Sequence, residues 1–226
     1  MKPVAGLEAR QLDRLAALAP PRQPPPSLVA WSDPRSLGAE QYRRLAIELH
    51  HRRALRPLQT LLVTSAAPAE GKSVSAANLA LTLARPRGER VLLLEGDLHR
   101  SAMLHRLGVQ HDTGLADWLE QRAELIQCLA RWPDLPLWIL PAARCSELPL
   151  ELLQARPPAQ ILQALAPHFQ WIVIDAPPLL PMADASHWAR ASDGVLLVVR
   201  ENRTRRSDLL KAVRQIEREK WLGVVL

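Results

Sequence analysis

Six runs of apolar residues recur along the chain: Leu58–Thr64, Val91–Leu94, Leu137–Leu140, Trp171–Ile174, Val195–Val199 and Trp221–Leu226. They are apolar at consecutive positions rather than at alternate ones. That is the pattern of strands buried on both faces, which occur in parallel sheets covered by helices. Helical stretches lie between them, the clearest from Ser73 to about Ala84. The expectation is therefore an α/β fold, a doubly wound, mostly parallel sheet flanked by helices. Upstream, Leu7 to Ala19 has helical spacing, with Leu7, Leu12, Leu15 and Leu18 near one face. Five prolines in the seven residues Pro20–Pro26 then predict an extended arm, because proline blocks helix and ladder bonds alike. A second helix is expected from Ser36 to about Leu55, ended by Pro57. The chain thus divides into an N-terminal helix and proline-rich arm, 1–27, and one α/β domain, 28–226.

Composition narrows this only a little. The 226 residues suffice for one ordinary domain, and 48% apolar with 23% charged residues excludes wholesale disorder and collagen-like architecture. No run approaches the ~18 apolar residues of a membrane span. Met1–Arg10 carries charges and lacks an apolar signal core, and the two cysteines, Cys128 and Cys145, cannot build a disulfide framework. A reduced cytoplasmic setting is expected. The net charge of +6 comes almost wholly from arginine, with four lysines, and admits a phosphate ligand, nucleic acid or an anionic membrane face without choosing among them.

Ligands of such sheets bind at the carboxyl ends of the strands. After the first strand comes Ser65-Ala-Ala-Pro-Ala-Glu-Gly-Lys-Ser73, the form of a phosphate-binding loop in which Ala66 replaces the usual first glycine. Backbone amides of Ala69, Glu70, Gly71, Lys72, Ser73 and Val74 are expected to face phosphate oxygens at the positive end of the following helix. Lys72 is placed to reach the β- and γ-phosphates, and the Ser73 hydroxyl to hold Mg2+. After the second strand, Glu95-Gly-Asp97-Leu-His99-Arg100 supplies two acids that can support Mg2+ or take a proton, and bases that can pair with phosphate. After Trp171–Ile174, Asp175 followed by Ala-Pro-Pro178 has the Walker B arrangement, a carboxylate behind the metal. Asp184 is expected to cap the next helix, and His50-His51 to lie on a solvated face. Three strand ends thus converge on a Mg-nucleotide site with Ser73, Asp97 and Asp175 on the metal side.

With these residues in place the sequence resembles the bacterial tyrosine kinases of capsule and exopolysaccharide synthesis, the CpsD/CapB type. The resemblance runs from about Leu28 to Leu226. Its marks are Thr64–Ser73, Val91–Arg100, Ser146-Glu147-Leu148, Ile174–Pro178 with Asp184, Asp193-Gly194 with the strand after it, and Thr204-Arg205-Arg206. It implies a P-loop NTPase fold of the deviant Walker A type, ATP and Mg2+ as ligands, and tyrosine autokinase activity with Lys72, Glu95, Asp97 and Arg100 in the catalytic set. It also implies a membrane chain-length regulator, a polysaccharide co-polymerase, whose cytoplasmic tail activates the kinase at the inner membrane. Four positions depart from the family pattern: Ala69 for glycine, Glu95 for aspartate, His99 for an arginine that Arg100 replaces, and Ala46 at the end of an oligomer-forming Glu40-x-x-Arg43-x-x-Arg pattern.

Two alternatives accompany the kinase reading. One is a regulatory switch that binds ATP but has lost kinase chemistry. The other is a partition-type ATPase binding DNA through Arg200, Arg203, Arg205 and Arg206, although nucleic acid is not the expected partner. Family members usually carry a tyrosine-rich tail beyond the last strand. Here the only tyrosine is Tyr42, inside the helix with Glu40 and Arg43, so little autophosphorylation of this chain is expected.

Overall fold

The computed structural model describes residues 7–226 except 8, 20, 22, 86, 87 and 147. Parts of the N-terminal arm and Glu147 of the Ser146–Leu148 mark therefore lie outside the described residues. Helices α1 (Ala9–Arg14), α2 (Val29–Ser32) and α3 (Leu37–Leu55) precede the first strand, β1 (Thr60–Ser65). Then come α4 (Lys72–Leu83), β2 (Val91–Glu95), three short helices α5 (Met103–Leu107), α6 (Leu115–Leu119) and α7 (Leu125–Cys128), and the strands β3 (Ala130–Arg131) and β4 (Leu137–Leu140). Helices α8 (Pro149–Ala155) and α9 (Pro158–Leu165) lead to β5 (Trp171–Asp175), α10 (Ala183–Ala191), β6 (Gly194–Val198), α11 (Arg206–Val213) and β7 (Trp221–Val225).

The seven strands order as β3-β4-β2-β5-β1-β6-β7 and all pairs are parallel except β3 with β4. Consecutive apolar residues feed opposite cores. Leu92 and Leu94 of β2, with Ile172 and Ile174 of β5, enter one layer. Their neighbours Val91, Leu93, Trp171 and Val173 enter the other. Alternation disappears from the sequence because both faces are dry, and the expected doubly wound sheet is what results. Two-residue β3 was not legible: it is too short to carry a pattern and exists only because Ala130 and Arg131 pair with Ile139 and Trp138.

The topology sets β1 between β5 and β6, with β2 just beyond β5. Four carboxyl ends therefore lie side by side, with Glu95 of β2 in register with Asp175 of β5. Helix α4 follows β1 and is buried almost all round, Ala76, Ala80 and Leu83 included. Its Asn78 side chain fastens the chain before α2, accepting from the Ala30 amide at 2.9 Å and donating to the Ser27 carbonyl at 2.9 Å. Helix α3 begins at the Ser36 cap, whose hydroxyl accepts from the Ala39 amide at 3.2 Å.

The N-terminal segment departs from expectation. Helix α1 stops at Arg14, and Ala17 and Leu18 instead pair with Arg131, the Leu18 amide donating to its carbonyl at 2.8 Å. A sheet edge offers these residues ladder bonds that helical spacing alone could not reveal. Leu12 is fully buried, its carbonyl accepting from the Trp138 indole at 3.2 Å. Of the proline segment, residues 20 and 22 lie outside the described residues; Pro21 and Pro25 lie against Gly108, and the segment closes in a turn where the Leu28 amide donates to the Pro25 carbonyl at 2.9 Å. His50 is also not on a solvated face: its ring meets Trp171 edge-on at 5.2 Å.

Asp193, just before β6, ties the sheet centre together. Its Oδ2 accepts from the Gln59 and Thr60 amides at 2.9 and 2.8 Å and from the Thr60 hydroxyl at 2.8 Å. Asp193→Ala leaves these donors unpaired, and a loss of about 2–3 kcal/mol in urea unfolding is expected. An unchanged unfolding midpoint would show that water replaces the carboxylate at no cost.

Candidate nucleotide site

The turn from β1 into α4 can form only because two residues take left-handed backbone angles, Gly71 at φ 104° and Ala69 at φ 63°. Glycine adopts this region freely, whereas alanine does so at a cost of roughly 1–2 kcal/mol. The loop is fastened by its own polar groups. The Ser65 hydroxyl donates to the Ala67 carbonyl at 2.6 Å, and the Ala67 amide donates to Glu70 Oε2 at 3.0 Å. The other carboxylate oxygen of Glu70 accepts from the Thr204 hydroxyl, in the loop after β6.

A cavity of about 630 Å3 opens over this turn, and Ala69, Glu70, Gly71, Lys72, Ser73, Val74, Asp97 and Arg100 all stand on its wall. His99, Arg106 and Arg200 add further basic groups, and Pro181, Met182, Val198 and Val199 give it an apolar side. Lys72 opens α4 and is buried, only 9% exposed. Asp175, like Glu95, is off the cavity wall; it is 1% exposed, and its Oδ1 has no partner, nor has the buried Oδ1 of Asp97. Burial pushes the Asp175 carboxyl up from 3.8 to about 7, against the pull of the Ser73 hydroxyl and Lys72 and with the push of Glu95 and Asp97. Asp97 is raised too, by burial first, while Lys72 and His99 draw it down. Two desolvated carboxylates with unused lone pairs beside a serine hydroxyl have the donor set that Mg2+ seeks, a hard cation bound by oxygen.

Glu95, expected in the catalytic set, is off the cavity wall. Its carboxylate is 1% exposed and accepts from the amides of Ala102 (2.7 Å), Met103 (2.9 Å) and Ala142 (2.9 Å). It pins the loop after β2 to the end of β4, a use of a carboxylate that its place in the motif did not disclose. Asp184 is likewise not a cap. Met182 precedes α10 without a side-chain cap bond, and the buried Asp184 carboxylate holds His99 Nε2 at 3.1 Å. His99 thus joins the cavity wall in a fixed orientation, beside the exposed Arg100. Glu40 and Arg43, expected to face a neighbouring subunit, pair with each other at 2.6 Å, and Arg43 also donates to the Pro34 carbonyl.

A Gly-Lys-Ser turn between a central buried strand and a helix, with carboxylates at the ends of two neighbouring strands, defines a P-loop nucleotide-binding α/β protein. No protein-family model matches the chain. It is 31% identical over 172 residues to tyrosine-protein kinase CpsD of Streptococcus pneumoniae serotype 4, covering 75% of each chain. With tyrosine-protein kinase YwqD of Bacillus subtilis it shares 28% over 202 residues, 88% of this chain and 85% of that one. The crystal structure of the chimerical protein CapA2B2 superposes with a TM-score of 0.82 at 26% identity, covering 96% of this chain and 95% of the other. The chain belongs to the bacterial tyrosine-protein kinases of capsule and exopolysaccharide biosynthesis. That membership lends no support to the DNA-binding alternative.

The buried carboxylates give the protein a pH signature. Folded Asp175 keeps its proton up to about pH 7, whereas the unfolded chain releases it near 4. The folded state is therefore favoured at low pH, and that stability is lost as pH rises from about 4 to about 7. Asp175→Asn cannot ionise, so its melting temperature is expected to fall less than that of the parent between pH 5 and pH 8. Parallel curves for the two proteins would place the strained proton elsewhere.

Proposed function

We propose that this chain is an ATP-dependent protein-tyrosine kinase of polysaccharide polymerisation or export, and that its acceptor tyrosines lie outside residues 1–226. The observation that carries the reading is the buried Lys72 at the start of α4, whose charge is felt by Asp97 and Asp175, two acids that each keep an unpartnered buried oxygen. A cation at the positive end of a helix requires anions nearby, and the phosphates of ATP complete the set.

In this reading the amides of Ala69 to Val74 and the Lys72 ammonium would hold the phosphates, and Arg100 and His99, also on the cavity wall, would supply further positive charge. Ser73, Asp97 and Asp175 would hold Mg2+, which neutralises charge on the phosphate oxygens. Asp97, with its free buried oxygen, is placed to take the proton of an attacking phenol. Glu95 keeps the Asp97 loop in place through backbone amides. Positioning of this kind matters because the phenol must come within about 3–3.5 Å of the γ-phosphate.

Tyr42 does not meet that requirement. It is partly buried against α4, near Ser75 and Asn78, and burial raises its pKa. The acceptor is then a tyrosine of another chain or of a further segment. The cytoplasmic tail of a membrane chain-length regulator is the proposed activator, which would bring the kinase to the inner membrane. Among the described residues no helix is long and apolar enough to cross a membrane. Helix α3, with exposed Leu37, Ile47 and Leu55 beside the Glu40–Arg43 pair, is the proposed face between subunits.

Calorimetry with Mg-ATP tests the site: Lys72→Met is expected to weaken binding at least a hundredfold, and normal binding would refute the phosphate assignment. Incubation with Mg-ATP and a glutamate–tyrosine copolymer tests the chemistry. Phosphotyrosine on the copolymer, none on Tyr42 by mass spectrometry, and neither with Lys72→Met is the expected result. ATP turnover with no phosphotyrosine anywhere would favour the switch that has lost kinase chemistry. Light scattering should show an oligomer that dissociates as salt rises, as expected where Glu40 and Arg43 exchange their pairing with each other for charges across the face, since exposed ion pairs are screened.

A further inference from the structure

We propose that Thr204 is a positioning residue for nucleotide binding, holding the phosphate loop in shape through Glu70 although it stands more than a hundred residues away in sequence. The inference rests on the nucleotide reading above and adds a residue to it. The Arg200 amide donates to Thr204 Oγ1 at 2.9 Å, so the hydroxyl already has a donor directed at it. A carboxylate accepts only, so the hydroxyl proton must point to Glu70 Oε1, where the contact is made. Glu70 is 4% exposed, and its other oxygen takes the Ala67 amide at 3.0 Å. A second thread runs alongside, from the Arg200 guanidinium to the Ala69 carbonyl at 3.4 Å.

The two threads end on the strained residue of the loop and on the one after it. Ala69 sits at φ 63°, a conformation that an alanine leaves when nothing restrains it. Its carbonyl and the next side chain are the two groups tied to the loop 200–204. Two features then explain each other: an alanine stands where the conformation suits glycine, and an outside hydroxyl holds the turn. Thr204 is not on the cavity wall, and its hydroxyl reaches the cavity through Glu70 and Arg200, which are.

The experiment is calorimetry with Mg-ADP, which is not consumed, on the full chain. Thr204→Val removes the hydroxyl at nearly constant volume, and about a tenfold loss of affinity is expected for a lost hydrogen bond to a charged group. Thr204→Ser keeps the hydroxyl and should stay within about threefold of the parent. The decisive variant adds Ala69→Gly to Thr204→Val. Glycine adopts the angle unaided, so most of the lost affinity should return. A hydroxyl that merely steadied the loop after β6 would show no such recovery. Should valine disturb that loop, Thr204→Ala reads the same way. Unaltered affinity in Thr204→Val, or a loss that Ala69→Gly leaves whole, overturns the proposal. If the parent itself fails to bind Mg-ADP, the nucleotide reading falls; if it binds and the variants match it, only the role of Thr204 falls.

Discussion

A lysine at the first residue of a buried helix is an electrostatic problem, and the site is arranged around it. The N-terminus of α4 is already positive, and Lys72 is buried there with only 9% of its surface exposed. Water cannot screen the charge, so protein carboxylates must. Asp97, just after β2, and Asp175, at the end of β5, are the acids its charge acts on, drawing their raised pKa values back down although both are desolvated. The site is thus a balance of costly burials, which a phosphate group with its cation would relieve on both sides.

That balance needs rigid support, which explains where the remaining polar side chains are spent. Glu95 binds three amides, so the loop carrying Asp97 cannot withdraw. Asp184 holds His99 against the cavity, and Glu70 binds the phosphate loop to the one after β6. Each is a buried or nearly buried acid whose partners come from a different element. A buried carboxylate left unpaired costs far more than the net gain of any single bond, so each such contact fixes one arrangement of two loops.

The same packing closes off the chain's own tyrosine. Tyr42 and Asn78 join α3 and the segment before α2 to α4. Freeing the phenol would expose part of the layer that holds the phosphate loop's helix. Under the proposed reading, transfer to Tyr42 would disturb this layer, whereas transfer to another chain would leave it intact.

Much of this was legible in one dimension. Apolar runs without alternation imply strands buried on both faces, and a parallel sheet places its ligand at the carboxyl ends. The residues after β1, β2 and β5 could thus be read as phosphate loop, acid and Walker aspartate because each signal is local: a strand, then its next few residues. What sequence could not supply was partnership across the fold. Whether Glu95 meets metal or amides depends on Ala142, and whether Asp184 caps a helix or holds a histidine depends on His99. The end of α1 at Arg14 and the existence of β3 depend likewise on contacts between Leu18 and Arg131 and between β3 and β4. Such choices turn on which desolvated group finds a donor, and only the assembled sheet brings those groups within hydrogen-bond distance.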